Sequence, residues 1–202
     1  ALVINLGTLN QDFLKHTHQA CKLANQLAVP IILDPVGAGA TQYRTQAATH
    51  LLNTYQFAVV RGNASEIMAL AGEAVKTKGV DSLAESLDAV TAAKALSNQH
   101  ACVVTVSGET DVIVSENHVT HIQEGAPMMT KITGTGCLFS AVTAAFCAAS
   151  PDAIYQAAQT ASWYYGRCGA IAAEKATGPG TFKLHFLDVL DKMVVGVPHS
   201  NG

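Results

Sequence analysis

Short apolar runs that end in polar or glycine-rich segments constrain this chain more than any other feature. They lie at residues 2–6, 31–33, 57–60 and 101–106, and none shows regular polar alternation. Strands of that kind are buried on both faces, as in a parallel sheet covered by helices on either side. Longer stretches with helical patterning fill the gaps at 10–28, 43–54, 63–71 and 82–99. This alternation predicts a three-layer α/β/α fold. Residues 112–115 and 119–122 read as a closing antiparallel pair turned at Glu116-Asn117. Helices at 137–149, 152–175 and 182–194 follow, with Pro151 and Gly178-Pro179-Gly180 as the breaks. No repeat, low-complexity tract or linker divides the sequence, so residues 1–202 read as a single domain.

Composition narrows the partners. With 49% hydrophobic and 13% charged residues, a chain of 202 residues can bury one sizeable core. No run approaches the roughly 20 apolar residues of a membrane helix. A net charge of -3 with scattered Lys and Arg gives no basic stripe for nucleic acid, which leaves small molecules. The five cysteines are odd in number and lack metal-ligand spacing, so they read as reduced thiols of a cytoplasmic protein.

Each unusual polar segment follows the carboxyl end of an expected strand. Asn5-Leu6-Gly7-Thr8 follows the first, Asp34-Pro35-Val36-Gly37-Ala38-Gly39 the second, Arg61-Gly62-Asn63 the third and Ser107-Gly108-Glu109 the fourth. Open α/β sheets bind ligands in the crevice outside those ends. Thr133-Gly134-Thr135-Gly136-Cys137 leads into the small, apolar helix at 137–149. The backbone amides of Gly134, Thr135, Gly136 and Cys137 should be unpaired there and form an anion hole for a polyanion such as phosphate. The plainer reading is a tight turn with a Thr cap and a buried cysteine.

The other candidates also have two readings. Asp34 either initiates a turn or holds Mg²⁺ through water. Glu66 either closes a capping box with Asn63 or adds a second carboxylate at the metal, and the two roles are compatible. Arg61 is either a surface ion-pair member or a nucleotide-phosphate contact. Ser107 either shapes a turn or touches nucleotide through its hydroxyl. His16 and His18, like His118 and His121, point to different faces and predict no zinc cluster. Neither a P-loop nor a dinucleotide fingerprint is present. Trp163-Tyr164-Tyr165 reads as helix packing or a subunit contact rather than a cofactor box.

Taken in order, Asp34-Pro35-Val36-Gly37-Ala38-Gly39-Ala40-Thr41, Arg61-Gly62-Asn63-Ala64-Ser65-Glu66-Ile67, Val106-Ser107-Gly108-Glu109-Thr110-Asp111, Thr133-Gly134-Thr135-Gly136-Cys137 and the closing Gly178-Pro179-Gly180-Thr181-Phe182 with Phe186-Leu187-Asp188 resemble hydroxyethylthiazole kinase. The resemblance runs end to end. It implies a ribokinase-like fold and ATP-dependent phosphorylation of the primary alcohol of 4-methyl-5-(2-hydroxyethyl)thiazole in thiamine salvage. It also implies a homotrimer with active sites near subunit interfaces. By the same resemblance, Arg61 and Ser107 match nucleotide-binding positions, the Ser standing where Thr is common. Asp34 and Glu66 match the acidic pair near Mg²⁺, and Gly134 matches the position whose backbone meets the thiazole. Cys137 matches the catalytic position that relatives such as ribokinase give to Asp. Members of the family carry several dozen residues ahead of the strand that begins this sequence, including segments that surround the thiazole. Two alternatives stay open: another small-alcohol vitamin kinase of the same fold, and a non-catalytic nucleotide-binding module.

Overall fold

The computed structural model describes residues 1–72, 82–116 and 118–193. Six strands form one sheet in sequential order: β1 Leu2–Asn5, β2 Ile31–Asp34, β3 Val59–Asn63, β4 Val103–Ser107, β5 Asp111–Ser115 and β6 His118–Ile122. β1 to β4 are parallel, β5 runs antiparallel to β4 and β6 antiparallel to β5, so the carboxyl ends of β1 to β4 and of β6 open on one side of the sheet. Between and after the strands lie α1 Gln11–Gln26, α2 Gln42–Thr54, α3 Ala64–Ala71, α4 Ser82–His100, α5 Thr135–Ala149, α6 Ile154–Lys175 and α7 Pro179–Lys192.

The period-two geometry of the strands explains their continuous apolar character. Val60 and Val104 pack into a cluster with Leu51, Ile67 and Leu96 of α2, α3 and α4, whereas their neighbours Val59 and Val103 pack with Ala144 and Cys147 of α5 and Ala158 of α6. Both faces are dry, so both need apolar residues. A third cluster joins α5, α6 and α7 through Phe139, Tyr165, Phe182 and Phe186. Each such large side chain, fully buried, contributes about 1.5–3 kcal/mol.

Several boundaries differ from the sequence expectation. β2 continues through Asp34, and β3 occupies Val59–Asn63 instead of 57–60. The backbone ladder causes this, since Asn5 pairs with Asp34, Arg61 with Thr105 and Asn63 with Ser107, and a ladder needs only peptide groups. The Gly178-Pro179-Gly180 stretch opens α7 instead of merely preceding it, with Pro179 in the first turn where no N–H bond is lost. Glu116 takes a φ of 50° at the expected turn. Asn117 and the end of the last expected helix, residue 194, lie outside the described residues. The first strand ends at Asn5, one residue short of the expected 2–6, because Leu6 opens a 3-10 turn over Leu6–Thr8 in which the Asn5 side chain accepts from Gly7 N; a second 3-10 turn, Pro127–Lys131, falls where the sequence predicts no element.

Candidate active site

Helix starts are where this fold places its polar chemistry. Asn10 accepts from the Phe13 amide at the start of α1, and Thr41 does the same for Arg44 at α2. α5 begins differently, at Gly134, whose φ of 92° is left-handed and which offers no side-chain cap. The first intrahelical bond runs from Leu138 N to Gly134 O at 2.9 Å, so the amides of Thr135, Gly136 and Cys137 precede the helical ladder. The positive end of the helix dipole adds to them. Cys137 is exposed at this terminus, while Cys21, Cys102, Cys147 and Cys168 are buried. The Thr135 hydroxyl turns away to donate to the carbonyls of Met129 and Ile132, both at 3.2 Å, which fastens the 3-10 turn beside it. Only its backbone remains for a ligand.

Arg61 sits beside that terminus and is 8% exposed. Its Nη2 donates to Ser107 Oγ at 2.6 Å, joining the ends of β3 and β4, and Nε has no partner among the described residues. A Cβ on Gly136 would lie 3.0 Å from Nη1, so the absence of a side chain there is what admits the guanidinium. The Asp34 and Asp111 charges act on this guanidinium without bonding it, so its direct partner is a neutral hydroxyl and donors remain for an anion.

Asp34, 1% exposed, ends β2 on the neighbouring ladder. Asn5 Nδ2 and Ser140 Oγ both donate to its Oδ2, at 2.7 and 2.8 Å. Burial pushes its carboxyl above the ordinary 3.8, while Ser140, the Arg61 charge and Asn5 pull it back and the Glu66 charge pushes it up again. Glu66 closes the capping box: Oε2 accepts from Asn63 N and Oε1 from Gly37 N, both at 2.9 Å. The capping role is therefore present, and it also ties the loop after β2 to α3. Among the described residues no group of three or more His, Cys, Asp or Glu side chains surrounds a common point.

A cleft of about 820 Å³ runs from Arg61, Ser107, Thr135 and Gly136 along Asp111, Phe139, Tyr165 and the segment from Gln123 to Thr130. Asp34, Glu66 and Cys137 are not among the residues that line it. A second cavity, about 580 Å³, lies at the opposite end of the strands against Pro30, Phe57 and Tyr155, far from every motif. The cleft at the carboxyl ends is where the unpaired amides and the arginine meet, and it is the functional candidate.

Several participants were missed by sequence reasoning. Ser140 lies one turn into an apolar helix, and only its separation of four from Gly136 marks the right face. Asp111 accepts from Ser162 Oγ at 2.7 Å and from Gly108 N at 3.0 Å, holding the Ser107-Gly108 turn against α6. Arg44, from α2, donates to the carbonyls of Leu6, Val36 and Gly7 at 2.6, 3.0 and 3.2 Å, which fixes the loops after β1 and β2. No local pattern announces that arginine. Tyr165, expected as packing, both packs and lines the cleft.

Similarity to known proteins identifies the family. The hydroxyethylthiazole kinase from Brachyspira hyodysenteriae is 46% identical over 193 residues, covering 96% of this chain and 72% of that protein. That from Syntrophus aciditrophicus is 44% identical over 194 residues with the same coverage. The solved hydroxyethylthiazole kinase protein from Pyrococcus horikoshii OT3 superposes with a TM-score of 0.86 at 32% identity, over 96% of this chain and 71% of that one. A pyridoxal kinase from Staphylococcus aureus in complex with AMP-PCP shares the fold alone, with a TM-score of 0.58 at 19% identity over 82% of this chain and 62% of its own. Within the described residues no helix is long and apolar enough to cross a membrane. The sequence model of the hydroxyethylthiazole kinase family matches residues 1–195, and the chain belongs to that family.

Proposed function

We propose that this chain, acting as one kinase domain, transfers the γ-phosphoryl group of ATP to the primary alcohol of 4-methyl-5-(2-hydroxyethyl)thiazole. One observation supports this most: the buried Arg61, whose direct partner is a neutral hydroxyl, lies against the uncapped N-terminus of α5, at the carboxyl ends of parallel strands. That arrangement suits the terminal phosphates of a nucleotide. Phosphoryl transfer passes through a loose transition state, so positioning and charge stabilisation do most of the catalysis. The amides of Thr135, Gly136 and Cys137 stabilise charge on the moving group, as an anion hole does. Arg61 and Ser107 hold the nucleotide phosphates, the backbone at Gly134 meets the thiazole, and Cys137 accepts or orients the alcohol proton.

The residues fit a Mg²⁺ ion carried in with the nucleotide. Asp34 receives both of its donors on Oδ2, so Oδ1 is left to a cation or its water, and Glu66 adds a second negative charge nearby. Two carboxylates with waters and substrate phosphates are the usual ligand set of that ion. When bound, Mg²⁺ supplies charge neutralisation between the phosphates. The same reading expects a homotrimer, checked by mass measurement in solution.

The test is product mass after incubating the chain with Mg-ATP and hydroxyethylthiazole, with hydroxymethylpyrimidine in parallel. Thiazole-dependent phosphate ester supports the reading. Equal or greater pyrimidine product would assign a sister activity, and nucleotide binding without either product would leave a binding module.

A further inference from the structure

The wall of the cleft contains an aromatic stack that the proposed chemistry leaves without a role. Phe139, in the first turns of α5, is 3% exposed, and the Arg61 guanidinium carbon lies 5.0 Å from its ring centroid. The same ring stacks with Tyr165 at 4.9 Å and an interplanar angle of 8°. Tyr165 is fixed in turn: its hydroxyl donates to Thr135 O at 2.6 Å, and Phe186 meets its ring edge-on at 5.0 Å.

An arginine side chain has many rotamers, and each contact that selects one removes an ordering cost from ligand binding. Hydrogen bonds account for little of the selection here, because Nη2 has Ser107 and Nε has no partner among the described residues. The other contact that selects the rotamer is the Phe139 ring, whose centroid lies 5.0 Å from the guanidinium carbon. A cation over an aromatic face keeps its N–H groups radiating in the plane, free for in-plane acceptors such as phosphate oxygens. The Tyr165 hydroxyl bond to Thr135 O joins this stack to the helix terminus that carries the unpaired amides.

We propose that Phe139, braced by Tyr165, is the positioning residue for Arg61: it holds the guanidinium over its ring beside the N-terminus of α5, so that arginine and amides receive one phosphate group together. This rests on the reading of Arg61 as a nucleotide-phosphate contact. It assigns Phe139 no contact with the reacting atoms. Its effect on nucleotide binding passes through Arg61 and vanishes when Arg61 is absent.

A double-mutant cycle tests this. Equilibrium binding of Mg-ADP and steady-state KM for ATP are measured for the wild-type chain, Phe139→Leu, Arg61→Ala and the double variant, each checked for a folded melting transition. Phe139→Met, closer in volume, replaces the leucine variant if that one does not fold. The expected result is a rise of about 2- to 30-fold in Mg-ADP Kd and ATP KM for Phe139→Leu, the range of an arginine–aromatic contact, with KM changing more than kcat. In the Arg61→Ala background the same substitution shifts Kd by less than about twofold. Tyr165→Leu weakens binding in the same direction. An equal loss in both backgrounds, or no loss beside an intact Arg61, overturns the proposal. Failure of Arg61→Ala to weaken Mg-ADP binding instead removes the reading of Arg61 as a phosphate contact, and the proposal with it.

Discussion

Ser140 Oγ donates to Asp34 Oδ2 at 2.8 Å across 106 residues of sequence. The bond fastens α5, whose N-terminus presents the unpaired amides, to the end of β2, which carries the carboxylate. Anion site and acidic site are therefore tied directly to one another, which suits a reaction whose catalysis is largely positional.

Cys137 is exposed at the α5 terminus and is not a member of the buried cluster that joins α5 to α6 and α7. Cys137→Ala should therefore leave the fold intact and lower kcat by about 10² to 10⁴, the range for a positioned proton acceptor. Mg-ATP affinity should change little. Steady-state kinetics at saturating ATP decide this, and an equally fast variant removes Cys137 from the chemistry.

Gly136→Ala separates stability from nucleotide binding. An alanine inside a helix is favoured over glycine by about 1 kcal/mol, yet the added Cβ would lie 3.0 Å from Arg61 Nη1. The melting temperature should stay level or rise while KM for ATP increases several-fold. A rise in stability with unchanged KM would show that Arg61 does not need that approach.

Much of the fold was legible because both signals behind it are local. Continuous apolar runs such as Ile31-Ile32-Leu33 mark doubly buried strands, and Asn63 with Glu66 spells out its own capping box. The candidate site was legible as far as its residues carry motifs: Asp34, Arg61, Ser107, Gly134 and Cys137 all fall at the strand ends or the helix start. Ser140, Asp111 and Arg44 were not, since the bonds Ser140–Asp34, Asp111–Ser162 and Arg44–Leu6 O reach across 38 to 106 positions that no periodicity encodes. Nothing local marks Phe139 either. Its aromatic face matters only once Arg61 is placed over it.

Glu66→Gln probes the double role of that carboxylate. Glu66 accepts two backbone amides, one on each oxygen, and a glutamine has only one carbonyl oxygen to offer. One of the Gly37 and Asn63 amides then loses its partner, at a cost of about 1–3 kcal/mol. Chemical denaturation should show that loss, and the Mg²⁺ concentration giving half-maximal turnover should rise as well. A stability loss with unchanged Mg²⁺ dependence would confine Glu66 to capping.

Asp111 gives a pH-dependent prediction. Burial raises its carboxyl pKa above the ordinary 3.8, against the lowering effects of Ser162, the Gly108 amide and Arg61. Because the folded carboxyl holds its proton more tightly than the unfolded one, its contribution to stability is full below pH 3.8 and is lost as the pH rises through the folded value. Asparagine can accept from Gly108 N and donate to Ser162 without titrating. The stability of Asp111→Asn relative to wild type should therefore increase with pH across that window. Melting curves between pH 3 and 8 check the slope, and a difference that shrinks as pH rises would reverse the sign of the burial effect.

The most direct test of the whole account is a single-turnover reaction of the purified chain with Mg-ATP labelled in its γ-phosphoryl group and hydroxyethylthiazole in excess. Label transferred to the thiazole as a phosphate ester, at a rate lowered by Cys137→Ala while that variant binds ATP as the wild-type chain does, is the predicted result. Label released only as inorganic phosphate, or retained on ATP, would contradict it.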